Sequence, residues 1–181
     1  MTVICGMDIA TRSGLCIMDG GRLVHVESFR PAGKEDAEIF AGFRAWLRPL
    51  LISHSVQHIA IEEPLRTNLM RREADGSETA MTNMRTYLRL YGLRAHAIEI
   101  CAALNIPCEE VNQATWRKAF LGHGHGDKDA AIRQCKLLRW PVPNKDAAES
   151  CGVAWWLAGH LRTAQLVRPG DLFEVRSEEA A

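Results

Sequence analysis

Four acids stand where an acid is costly. Asp8 lies inside the apolar run 3–10, and a lone charge there costs several kcal/mol unless it is paired or bound to a metal. Glu62 and Glu63 close a second apolar run, His58-Ile59-Ala60-Ile61. Asp146 and Glu149 are three residues apart, so both project from one face near the start of a helix. Singly, each has a plainer reading. Asp8 could pair with Arg12, and Asp146 could be an acid favoured in a helix's first turn. Together they offer carboxylates from a strand, a second strand end and a late helix. That is the oxygen-lined set a hard divalent cation such as Mg²⁺ requires.

The elements that must carry these acids follow from the pattern. Residues 3–10 and 15–18 are apolar and β-prone, separated by Thr11-Arg12-Ser13-Gly14. Asp19-Gly20-Gly21 is a hairpin signal, and residues 22–29 alternate beyond it, so three antiparallel strands are expected. Ile39, Phe40, Phe43, Trp46, Leu47 and Leu50 recur at helical spacing, which predicts a helix over about 34–53 with Pro49 bending or ending it. Residues 57–63 predict a buried strand stopped by Pro64, and 66–78 a polar loop. Met81, Met84, Leu88, Tyr91, Ala95, Ile98 and Ala102 fall at steps of three and four, which predicts one long helix over 78–104. A strand at 108–111 and helices at 113–121, 127–138 and 145–161 complete the chain, with residues 122–126 as a flexible connector. A hairpin set followed by alternating strands and helices calls for an α/β fold, a mixed sheet flanked by helices.

The chain's 181 residues suit one domain, read as 1–164 with a loosely ordered acidic tail over 165–181. With 47% apolar and 24% charged residues it is an ordinary globular sequence, which excludes disordered and fibrous classes. No stretch approaches the ~20 apolar residues of a membrane span. The N-terminus lacks a basic region before its first acid, so no signal peptide is expected and a cytoplasmic location is. Six cysteines lie scattered with no Cys-x-x-Cys pair, which predicts buried reduced thiols. His123 and His125 invite a zinc reading, but they stand among three glycines with no further ligand nearby. Net charge is zero, yet it is uneven. Residues 65–95 carry a net +3 and 115–140 a net +4, against −2 over 1–64 and −3 over 171–181. A polyanion held against a carboxylate-rich site fits that distribution.

Met7-Asp8 with Thr11-Arg12, then Ala60-Ile61-Glu62, then Asp146-Ala147-Ala148-Glu149-Ser150 resemble the acidic motifs of the RuvC-type Holliday junction resolvases. They match in order and spacing over roughly residues 3–160. Asp8-Ile9-Ala10 stands where the family has Asp-Pro-Gly, and Leu65 where it has a junction-opening aromatic. The resemblance implies an RNase H-like five-stranded mixed sheet and a structure-selective endonuclease for branched DNA. It implies that Asp8, Glu62, Asp146 and Glu149 bind two Mg²⁺ ions, with Mn²⁺ able to substitute, about 3.5–4 Å apart. One ion would activate the attacking water and the other would stabilise the departing 3′ oxygen. Only one of Glu62 and Glu63 can face the site, because alternate strand residues point opposite ways, and the match selects Glu62. Lys128 would neutralise the scissile phosphate, and Arg12, Arg66, Lys118, Lys128 and Arg133 would contact DNA. The helix 78–104 would pair two subunits, with Gly92 admitting the partner's backbone.

Competing readings are an RNase H-like nuclease for flaps, forks or RNA–DNA hybrids, an actin- or sugar-kinase-like nucleotide-binding domain, and a DNA-binding module without activity. The four acids disfavour the last, and a single domain disfavours the kinase type, which closes two around its nucleotide.

Overall fold

The computed structural model describes residues 2–64, 70–72, 78–80, 84–126 and 128–166. Its elements in chain order are β1 (Val3–Asp8), β2 (Ser13–Asp19), β3 (Arg22–Phe29), α1 (Asp36–Ser53), β4 (His58–Glu62), β5 (Met70–Arg72), β6 (Glu78–Ala80), α2 (Met84–Ala103), β7 (Cys108–Val111), α3 (Gln113–Leu121), α4 (Lys128–Leu137) and α5 (Lys145–Leu166). Five strands form one mixed sheet in the order β3-β2-β1-β4-β7. β1–β2 and β2–β3 pair antiparallel, while β1–β4 and β4–β7 pair parallel. The turn between β2 and β3 uses positive φ at Gly20 (56°) and Gly21 (84°), a geometry glycine adopts without strain.

Strand alternation sorts the core into two layers. Cys5, Met7, Leu15, Ile17, Ile59 and Ile61 face α1 and α2, where Phe43, Leu47, Leu93, Ala97 and Ile100 meet them. Ile4, Cys16, Met18 and Ala60 face the other way, against α3, α4 and α5. By the same parity Asp8 and Glu62 belong to the α5 side. Glu63 lies beyond β4 and is exposed.

α5 can lie close to the sheet because two glycines leave room for it. A Cβ on Gly6 would stand 2.2 Å from the Ala154 amide nitrogen, and one on Gly14 only 2.0 Å from the Asp146 carbonyl oxygen. α5 answers with small buried residues, Ala147, Ala148, Ser150, Cys151 and Ala154.

Three expectations change. Residues 66–78 are not all loop, because Met70–Arg72 pairs antiparallel with Glu78–Ala80. For the same reason the helix predicted over 78–104 begins at Met84: residues 78–80 are committed to that ladder. The face α2 buries is Leu93, Ala97, Ile100 and Cys101, whereas Met84 and Leu88 are 68% and 61% exposed. Gly92 serves packing within the chain: a Cβ there would stand 2.4 Å from the Phe40 ring of α1. Pro49 sits inside α1 without ending it, and the helix starts with a capping box between Glu35 and Glu38. No helix among the described residues is long and apolar enough to cross a membrane.

Candidate active site

Asp8 ends β1, the central strand of the sheet, 8% exposed. α5 begins beside it, capped by Asn144, whose Oδ1 accepts the Ala147 amide at 3.0 Å and whose Nδ2 donates to Ser28 Oγ at 2.6 Å. That tether to the end of β3, with Gly14 beneath, sets Asp146 and the buried Glu149 over Asp8. Each of the three acids places a carboxylate oxygen within 4.8 Å of the other two. Three like charges collected at this density, with oxygen the only donor type, fit a hard divalent cation.

Glu62 stands apart from that group. Its Oε1 accepts Gln113 Nε2 at 3.1 Å and its Oε2 accepts Trp116 Nε1 at 2.9 Å. Burial and the nearby Glu149 raise its pKa from 4.5 to about 7, against the opposing pull of Trp116, Arg117 and Gln113. Arg117, mostly buried, donates to Glu149 Oε1 at 2.7 Å, its guanidinium carbon 5.3 Å from the Trp116 ring centre. One face of α3, at positions 113, 116 and 117, thus grips two carboxylates from two other elements.

The raised pKa makes stability depend on pH. Between about 4.5 and 7 the folded chain keeps a proton on Glu62 that the unfolded chain has released. Stability therefore falls as pH rises through that window, by about 3 kcal/mol. Thermal melts in a chelator from pH 5 to 8 should show this fall in the parent. Glu62→Gln should flatten it, and a divalent cation should stabilise the parent more at pH 8 than at pH 5.

Of the residues singled out in the sequence, Asp8, Asp146 and Glu149 converge, and Glu62 adjoins them through α3. Arg12 is exposed just after Asp8, Lys118 is exposed on α3, and Arg133 is exposed on α4. Arg66 and Leu65 lie outside the described residues, as does the tail beyond Leu166; Lys128 opens α4, and its side chain is likewise not described. His123 and His125 are exposed and join no convergent ligand group among the described residues. Every cysteine is a free thiol, five of them buried and Cys108 half-buried. The basic middle is partly spent inside the fold: Arg89 pairs with Asp36, Arg94 with Glu110 and Arg117 with Glu149. Gln113, Trp116 and Arg117 are the residues that sequence reasoning did not place at the centre. Their signal was the i, i+3, i+4 spacing at the start of the helix that follows β7.

About nine tenths of the chain superposes on known structures. The Thermus thermophilus RuvC in complex with a Holliday junction substrate matches at a TM-score of 0.72 and 16% identity, covering 91% of this chain and 97% of that one. The chain has the RuvC fold. A second structure of Thermus thermophilus RuvC matches at a TM-score of 0.70 and 18% identity, covering 90% and 97%. The yeast mitochondrial Holliday junction resolvase matches at 0.55 and 13%, covering 92% and 85%. In sequence, the crossover junction endodeoxyribonuclease RuvC of Rickettsia akari (strain Hartford) is 30% identical over 77 residues, 41% of this chain. That stretch spans about half, 49%, of the Rickettsia protein's length. No family model matches the chain. The RuvC fold accounts for the sheet order, and the RNase H-like mixed sheet expected from the acidic motifs is the one observed.

Proposed function

We propose that this chain is a metal-dependent endonuclease that resolves branched DNA, the four-way junction above all. The observation that carries the reading is the convergence of Asp8, Asp146 and Glu149, with Glu62 beside them, at the C-terminal ends of the inner strands of a RuvC-type sheet. In this reading Asp8, Glu62, Asp146 and Glu149 hold two Mg²⁺ ions, for which Mn²⁺ substitutes. The ions supply the Lewis acidity that activates water and stabilises the departing 3′ oxygen.

The chain's own groups do the rest. Buried against α5, Asp8 presents its carboxylate at the mouth of the sheet. Asp146 and Glu149 form the opposite wall, held close because α5 packs directly on Gly6 and Gly14. Arg117 neutralises Glu149, which limits the repulsion between that wall and an incoming phosphate. Lys128 at the start of α4 balances charge on the scissile phosphate, while Arg12, Arg66, Lys118 and Arg133 hold the flanking backbone.

The test is a panel of substrates in Mg²⁺ and in chelator. A four-way junction cut in Mg²⁺ alone, faster than a flap, a fork or an RNA–DNA hybrid, is expected. Preferential cutting of the flap or hybrid would replace the junction reading with a different RNase H-like nuclease.

Resolution needs two symmetric cuts, and the described residues gather acids for one, so we assign a two-fold homodimer through α2. Met84 and Leu88 support it, as large apolar side chains left exposed on that helix. Leu88→Glu should weaken association at least 100-fold, about 3 kcal/mol, by placing an unpaired charge at the seam. Light scattering should then show a monomer, and junctions should receive single nicks in place of paired ones.

A further inference from the structure

We infer that Gln113 and Trp116 are positioning residues that set the centre's affinity for its second divalent cation by fixing the Glu62 carboxylate, an inference that rests on the two-ion reading above. Asp8, Asp146 and Glu149 already form a compact three-carboxylate group, and Glu62 is not a member of it. The fourth acid therefore distinguishes a second cation position from the first.

Glu62 has three flexible torsions, and nothing in β4 itself fixes its carboxylate. Two neutral N–H donors from α3 do so, one on each oxygen, at 3.1 Å and 2.9 Å. Both donors stand on the anchored first turn of α3. Trp116 is fully buried, packed so closely on α5 that a Cβ on Gly152 would stand 2.5 Å from its ring. The first turn of α3 is capped by Asn112, whose side chain accepts the Thr115 amide at 2.9 Å. Each carboxylate oxygen has two acceptor directions, and each donor uses one, which leaves one on each oxygen for a cation. Being uncharged, neither donor repels that cation. Outer partners of this kind typically change metal affinity 10–100-fold when removed.

The experiment is calorimetric titration of the full chain with Mn²⁺ in the absence of DNA, for the parent, Gln113→Leu and Trp116→Phe. Two binding steps are expected in the parent. Both variants should weaken the second step at least 10-fold and leave the first within about two-fold. Trp116 is part of the core, so Gln113→Leu, at a half-buried position, decides the matter if Trp116→Phe unfolds. An unchanged second step in folded Gln113→Leu overturns the inference, and so does an equal loss in both steps, which would mark a loosened fold. A parent that binds a single Mn²⁺ overturns it while leaving a one-ion nuclease. A parent that binds none removes the metal reading itself.

Discussion

Asp8→Asn should abolish hydrolysis while leaving the protein folded and able to hold branched DNA. The side chain keeps its volume and loses its charge at the one strand position where three carboxylates meet. A cation held by that group would lose a ligand it shares with Asp146 and Glu149. Cleavage in Mg²⁺ should fall at least about 10³-fold, or about 4 kcal/mol of transition-state stabilisation. Stability should move the other way. Removing one of three clustered negative charges relieves repulsion, so the melting temperature in chelator should stay the same or rise. Binding to a junction should be equal or tighter, since a negative charge has left the neighbourhood of the phosphates. A merely structural role for Asp8 predicts the opposite pairing, lower stability with proportionate loss of activity. Gel-shift, melting and single-turnover cleavage on one preparation separate the two.

The largest loss of stability should come from the glycines under α5. Gly6→Ala places a methyl 2.2 Å from the Ala154 nitrogen and 2.6 Å from the Ser150 carbonyl oxygen, both backbone atoms that no rotamer change can move aside. Overpacking usually costs ~1–3 kcal/mol, and a backbone collision belongs at or above the top of that range. For a domain of this size each kcal/mol lowers the melting temperature by roughly 2–4 °C, so a fall of ~6–12 °C or more is expected. Gly14→Ala meets the Asp146 carbonyl at 2.0 Å and should do further damage. Pushing the first turn of α5 outward displaces Asp146 from Asp8. Cation binding should therefore drop more than the melting temperature alone explains, and Gly6→Ala, one turn or more further along, should spare it better.

What the chain discloses without coordinates is uneven, for physical reasons. β1 to β3, β4 and β7 were legible because alternation and turn chemistry agree: Asp19-Gly20-Gly21 can hardly be anything but a tight turn. The same period of two allowed only one of Glu62 and Glu63 to face the site, and the resemblance to the family motif selected Glu62. The β5–β6 hairpin was illegible, as Met70-Arg71-Arg72 and Glu78-Thr79-Ala80 carry no apolar alternation to announce a strand. On α2 the helical period was legible, and so was the stripe left for a partner, but the stripe that packs on the sheet was not. Met84, Leu88, Tyr91 and Ala95 form one stripe and Leu93, Ala97, Ile100 and Cys101 another, and only packing on the sheet decides between them. The grip of α3 on Glu62 and Glu149 was equally hidden. It joins residues 51, 54 and 32 positions apart, and no local pattern encodes such a meeting.

The central claim is that Asp8, Glu62, Asp146 and Glu149 form a two-cation centre. The measurement that addresses it most directly is anomalous diffraction from crystals of the protein with a four-way junction and Mn²⁺. Two anomalous peaks are predicted, about 3.5–4 Å apart, one within reach of Asp8, Asp146 and Glu149 and the other drawing on Glu62. Crystals that hold the junction but show no peak among these four carboxylates, at Mn²⁺ concentrations that support cleavage, would contradict the account.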